Sequence, residues 1–117
     1  MNEMIDYELT HKDGVAIFKL NEKRFDASIA GLVKAEFTII LSEGVTKLIV
    51  DMSEVEYCDS SGLSALLLAF RILQAEDGEI IIASPQKSVR TLIEISQLNR
   101  VLPFYATVEE AINNFKN

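Results

Sequence analysis

At 117 residues, 49% hydrophobic and 25% charged, the chain has the size and composition of one domain with a modest core, and it is too apolar for a disordered segment. Its formal net charge is −7, and no lysine or arginine stripe offsets it. Nucleic-acid backbones and anionic lipid surfaces are therefore disfavoured partners.

Met1–Asp6 is acidic and lacks the basic flank and apolar region of a signal peptide. Ile5–Thr10 and Val15–Leu20 have the composition of short strands, and His11-Lys12-Asp13-Gly14 between them suits a hairpin turn, so the two should pair antiparallel. From Asp26 the period becomes helical. Ile29, Val33, Phe37, Ile40 and Leu41 share a face, and Gly44 stands where a left-handed C-cap belongs, which predicts a helix over Ser28–Glu43. Lys47–Met52 follows as a continuous apolar strand of the kind buried on both faces.

After a turn through Glu54–Cys58, Asp59-Ser60-Ser61-Gly62-Leu63 opens a second helix that runs to about Glu76 and turns Leu63, Leu66, Leu67, Phe70 and Leu73 inward. Cys58 is the single cysteine, so an internal disulfide is impossible. A thiol at the end of an apolar segment should be buried, which suits a reducing, cytoplasmic setting. The longest uncharged run, Ser60–Phe70, is far too short to cross a bilayer.

Asp77-Gly78 ends the second helix, and Glu79–Ala83 is the next buried strand. Ser84-Pro85 reads as an N-cap hydroxyl with proline at the first helical position, opening a third helix to about Gln97. Its inner face is Val89, Leu92, Ile93 and Ser96. A short strand is expected around Leu102–Tyr105. Thr107-Val108-Glu109-Glu110 is a capping box, and Val108, Ala111, Ile112 and Phe115 form the stripe of a fourth helix. The order is ββαβαβαβα over a single domain, residues 1–117. Strands alternating with helices after the hairpin require a mixed, mostly parallel α/β sheet with about four helices, most against one face.

The Asp59–Gly62 segment has two readings. Asp and Ser are preferred N-caps, so it can be purely structural. It also lies beyond a central strand, with hydroxyls at a helix N-terminus where unpaired N–H groups welcome a phosphate. Catalysis is hard to assemble, because a serine nucleophile needs a nearby base and the one histidine, His11, falls in the hairpin turn. Asp51, Glu54, Glu56 and Asp59 read as a solvated acidic face rather than a metal site. The expectation is a protein that is not an enzyme, with no cofactor and no metal.

The Asp59-Ser60-Ser61-Gly62-Leu63 motif after the Leu48–Met52 strand, with Ser84-Pro85-Gln86-Lys87-Ser88-Val89 leading the next helix, resembles STAS domains, and among them bacterial anti-sigma factor antagonists. The resemblance spans nearly the whole chain. It implies a switch in which Ser60 is phosphorylated by an anti-sigma factor that is also a serine kinase, and is restored by a metal-dependent phosphatase. Unmodified protein would bind the anti-sigma factor and free the sigma factor. The resemblance puts Asp26, Asp59, Ser60, Ser61, Gly62 and Leu63 at the partner site. The chain departs from the family pattern at Lys23-Arg24-Phe25-Asp26, which has an extra residue, at Ser64, where glycine is frequent, and at Ser96-Gln97-Leu98. A second implied role is that of a regulatory STAS subunit in a lipid or anion transport complex.

Overall fold

The computed structural model describes residues 4–116; the start of the acidic segment Met1–Asp6 lies outside them. The elements are β1 (Tyr7–Lys12), β2 (Val15–Leu20), β3 (Arg24–Phe25), α1 (Ala27–Leu41), β4 (Lys47–Asp51), β5 (Tyr57–Cys58), α2 (Ser60–Ala75), β6 (Glu79–Ala83), α3 (Lys87–Ile95), β7 (Phe104–Tyr105) and α4 (Val108–Ile112). The main sheet has the order β1-β2-β4-β6-β7, in which only β1 is antiparallel to its neighbour. This is the expected mixed, mostly parallel α/β fold with four helices.

The hairpin closes on two residues, Asp13 (φ 54°) and Gly14 (φ 78°). Both are left-handed, as a two-residue turn that follows strand twist requires. His11 and Lys12 are thereby drawn into β1, opposite Ala16 and Val15.

Parallel register lines up Phe18, Val50, Ile82 and Phe104 across the sheet. Alternation sends Phe18, Leu48, Val50, Ile80 and Ile82 into a core shared with Val33 and Phe37 of α1, Leu66 and Leu73 of α2, and Val89 and Ile93 of α3. Phe18 is fully buried between the stacked ring of Tyr7, 4.7 Å away, and the edge-on ring of Phe37 at 4.9 Å. Each such side chain contributes about 1.5–3 kcal/mol of burial. Val15, Ile49, Ile81 and Ala83 face the other way, against Ala111 of α4 with Val108, Ile112 and Phe115. Three helices thus cover one face and α4 alone covers the other.

Several local expectations are corrected. The chain forms two further strands, β3 and β5, which make a separate two-stranded sheet. Ser84 is not a helix cap. It sits at φ 55°, its N–H donates to the Tyr105 carbonyl at 2.8 Å and its hydroxyl donates to the Ala106 carbonyl at 3.1 Å. Tied to β7 in this way, the chain turns before α3, whose N-cap is Gln86 without a side-chain bond. Asp77-Gly78 ends α2 as expected, with Asp77 in the left-handed region at φ 57°. Gly78 is needed for space, since a Cβ there would lie 2.6 Å from the Thr46 carbonyl oxygen. Ser96 is exposed, Leu67 and Phe70 are half-buried, and α4 is shorter than its apolar stripe. Gly44, at φ 92°, is left-handed as expected.

Candidate functional site

Two helices start side by side because the strands that feed them are paired. In the small sheet Arg24 lies opposite Tyr57 and Phe25 opposite Cys58, in parallel. The next residue on each strand is the N-cap of a helix: Asp26 for α1 and Asp59 for α2. The pleat turns Phe25 and Cys58 into the core and leaves Arg24, Tyr57, Asp26 and Asp59 on the outer side.

Each carboxylate closes its own helix. Asp26 Oδ1 accepts from the Ser28 N–H at 3.0 Å and from the Ser28 hydroxyl. Asp59 Oδ1 accepts from the N–H groups of Ser61 at 2.9 Å and Gly62 at 3.3 Å. The caps have nearly the same extended backbone, with φ −129° and ψ −167° at Asp26 and φ −123° and ψ −168° at Asp59. The N–H groups of Ser61 and Gly62, expected to be open to a phosphate, are therefore occupied. The start of α2 does not offer the bare anion site that the motif suggested.

Of the residues assigned to the site from sequence, Ser60 is exposed, Asp26, Asp59 and Ser61 are partly exposed, and Gly62 and Leu63 are buried. Gly62 acts through its lack of a side chain. A Cβ there would sit 2.5 Å from the Phe25 carbonyl oxygen and 2.6 Å from Cys58 Sγ, so glycine alone lets α2 begin against β3. The loop between β4 and β5 is held from α3, where the Ser88 hydroxyl donates to the Glu56 carbonyl at 3.0 Å. Gln86 Nε2 donates to the Ser53 carbonyl at 2.9 Å.

The bonds from Ser28 hold the Asp26 carboxyl below the ordinary carboxylate value against an opposing effect of desolvation, and Arg24 adds smaller pulls in the same direction as Ser28. Arg24 Nε donates to Asp26 Oδ2 at 3.2 Å, and its guanidinium carbon lies 4.4 Å from the centre of the Tyr57 ring. Burial, helped by the charge of Asp59, pushes the Cys58 thiol up to about 12. It is a packing group, not a nucleophile.

His11 pairs with Ala16 near the start of β2, which is the end of the sheet opposite the C-terminal end of β4. No imidazole serves Ser60. Among the described residues, no group of three or more His, Cys, Asp or Glu side chains is arranged to hold a metal ion, and no helix is long and apolar enough to cross a membrane. Sequence reasoning missed Arg24, Tyr57 and Ser28. A signal was present in the repeated pattern of Arg24-Phe25-Asp26-Ala27-Ser28 and Tyr57-Cys58-Asp59-Ser60-Ser61, in which a core residue precedes an Asp cap and a serine follows two places on.

A family model described as the STAS domain matches residues 6–111. The anti-sigma-B factor antagonist of Listeria monocytogenes is 30% identical over 103 residues, covering 87% of this chain and 88% of that protein. The crystal structure of an anti-sigma factor antagonist from Mycobacterium paratuberculosis matches with a TM-score of 0.85 and 22% identity, over 97% of this chain and 95% of that one. The Bacillus cell fate determinant SpoIIAA in its phosphorylated form matches with a TM-score of 0.71 and 24% identity, over 92% and 97% of the two chains.

Proposed function

The chain belongs to the STAS domain family, and from that premise we propose that it is an anti-sigma factor antagonist, a cytoplasmic binding module gated by phosphorylation of Ser60. Unmodified, it binds an anti-sigma factor that is also a serine kinase, and so releases a sigma factor. A metal-dependent phosphatase reverses the modification. The observation that carries this reading is the exposed Ser60 beside two adjacent aspartate caps, on a scaffold shared with antagonists of the same length. One relative in fold is a phosphoprotein by its own description.

The proposed role is binding rather than catalysis, a reading supported by the place of the one histidine, His11, at the far end of the sheet. Contact with the partner falls to Asp26, Asp59, Ser60 and Ser61, while Gly62 and Leu63 shape the surface from beneath. Ser60 is the substrate of the kinase, and Ser61 closes the helix start through its N–H. A phosphate adds about −1.5 to −2 charge to a surface already carrying Asp26 and Asp59, so a partner packed there must desolvate it or meet it with like charge.

Incubation with the cognate kinase and ATP should add one phosphate, and none to Ser60→Ala. In calorimetric titration Ser60→Ala should bind nearly as wild type. The phosphorylated protein should bind about 5–150-fold more weakly, and Ser60→Asp should fall at the low end of that range. Equal affinities for all three forms would overturn the switch and favour the constitutive subunit of a transport complex.

A further inference from the structure

With the Ser61 and Gly62 N–H groups taken by Asp59, a phosphate on Ser60 has little of the start of α2 left to bind unless that cap breaks. A counter-charge is then to be sought on the neighbouring strand. On the outer side of the small sheet lie Asp26, Asp59 and Arg24, with the exposed Lys23 and Glu56 beside them, and of the two cations it is Arg24 whose side chain is held at this face. Its guanidinium is already placed. It stacks on Tyr57 and is tethered to Asp26 through Nε, while neither Nη group has a protein acceptor among the described residues. Five donors in a rigid plane with one used leave a fork suited to phosphate oxygens. Ser60 follows Asp59 directly, and Asp59 is the diagonal cross-strand neighbour of Arg24. With strands about 4.7–4.9 Å apart and a rise of about 3.3 Å per residue, residues offset by two across this pair lie about 8 Å apart at Cα, within the span of long side chains.

We propose that Arg24 is the receptor for a phosphate carried on Ser60: its Nη groups bind the phosphate while stacking on Tyr57 and pairing with Asp26 hold the guanidinium in place. This rests on the reading of Ser60 as the modified residue. Phosphorylation would then do more than add charge beside α2. It would link Ser60, Arg24 and Asp26 into one cluster across both helix starts and take up the Nη donors of Arg24 on the surface that the partner meets.

The test uses the full chain with phosphoserine installed at position 60 during synthesis by stop-codon suppression, so that no kinase is needed. The second ionisation of the phosphate, ordinarily near pH 6, is followed by phosphorus NMR in wild type, Arg24→Ala, Arg24→Lys and Lys23→Ala. Asp26 and Asp59 face the group and raise its pKa in every variant, so the comparison isolates the cation. Arg24→Ala should titrate about half a unit higher than wild type. Arg24→Lys should fall between the two, because the charge remains and the fork is lost, and Lys23→Ala should match wild type.

Identical titrations of wild type and Arg24→Ala, or a shift in Lys23→Ala alone, would overturn the proposal. Far-UV circular dichroism confirms that the variants are folded. Kinase treatment of unmodified protein separates the two claims: failure to modify Ser60 would refute the switch, whereas an unmoved phosphate pKa refutes the Arg24 receptor and leaves the switch standing.

Discussion

Replacing Gly62 with alanine would set a methyl carbon 2.5 Å from the Phe25 carbonyl oxygen, 2.6 Å from Cys58 Sγ and 3.0 Å from Phe25 Cγ. The crowding atoms are a backbone carbonyl in the small sheet and two groups anchored in the core, so relief requires moving α2 away from β3. Overpacking of this kind costs about 1–3 kcal/mol. For a chain of this length about 1 kcal/mol corresponds to roughly 4 °C in Tm, so Gly62→Ala should melt about 4–12 °C below wild type. Gly31 supplies the control, because it lies within α1 and a Cβ there has no neighbour within 4 Å. Exchanging a helical glycine for alanine at such a site stabilises by about 0.5–1 kcal/mol, so Gly31→Ala should melt about 2–4 °C higher. The same substitution should thus act with opposite sign at the two positions, read by differential scanning calorimetry. A Gly62→Ala protein that melts with wild type would show that the glycine of the motif is not there for packing, and the steric account of how α2 docks on β3 would be wrong.

Asp26 should titrate below the ordinary carboxylate value of 3.8 in carbon-detected NMR, and Ser28→Ala should raise its pKa more than Arg24→Ala does, since the bonds from Ser28 are the larger cause. Because its folded pKa is depressed, its contribution to stability is present above pH 3.8 and is lost as pH falls through the lower folded value. Cys58 has the opposite sign. Its folded pKa lies above the ordinary value of 9.0, at about 12, so its contribution is complete below pH 9 and fades as pH rises between those values. Relative to Cys58→Ala, wild type should lose stability over that window, and its thiol should react with iodoacetamide at pH 8 far more slowly than in denaturant.

The strands and helices of the main sheet were legible because their signals are local. Alternation gave the hairpin, continuous apolar runs gave β4 and β6, and helical spacing gave α1 to α3. The order of the elements then left few topologies. The small sheet was not legible, since β3 and β5 are two residues each and carry no period. They exist because Phe25 and Cys58 are drawn into the core between α1 and α2, an effect of distant packing. Ser84-Pro85 misled for a related reason. Serine before proline matches a helix start in composition, but at this place the Ser84 N–H and hydroxyl serve β7 instead. At the site, Ser60 and Asp59 were visible as a motif, and Asp26 only through resemblance. The cation–π stack of Arg24 on Tyr57 crosses the strands and cannot be read along the chain.

The pairing of the two caps bears on how such a switch can act without unfolding the domain. A phosphate at a helix start is ordinarily favourable by about 0.3–1 kcal/mol, but here Asp59 already takes the N–H groups and adds a repulsion of similar size, so the local gain for folding is small. The charge of a phosphate on Ser60 would be left on the side of Asp26 and Arg24 rather than absorbed by α2. A helix start with free N–H groups would bind its own phosphate and hide it from a partner. On the proposed reading, a start closed by its own aspartate would leave the phosphate at the surface beside Arg24, and a partner that packs against this face would meet the altered charge of that cluster. With Ser60 as the proposed modified residue, the same aspartate that serves as an ordinary N-cap would let a small covalent change alter binding while the fold stays as it is.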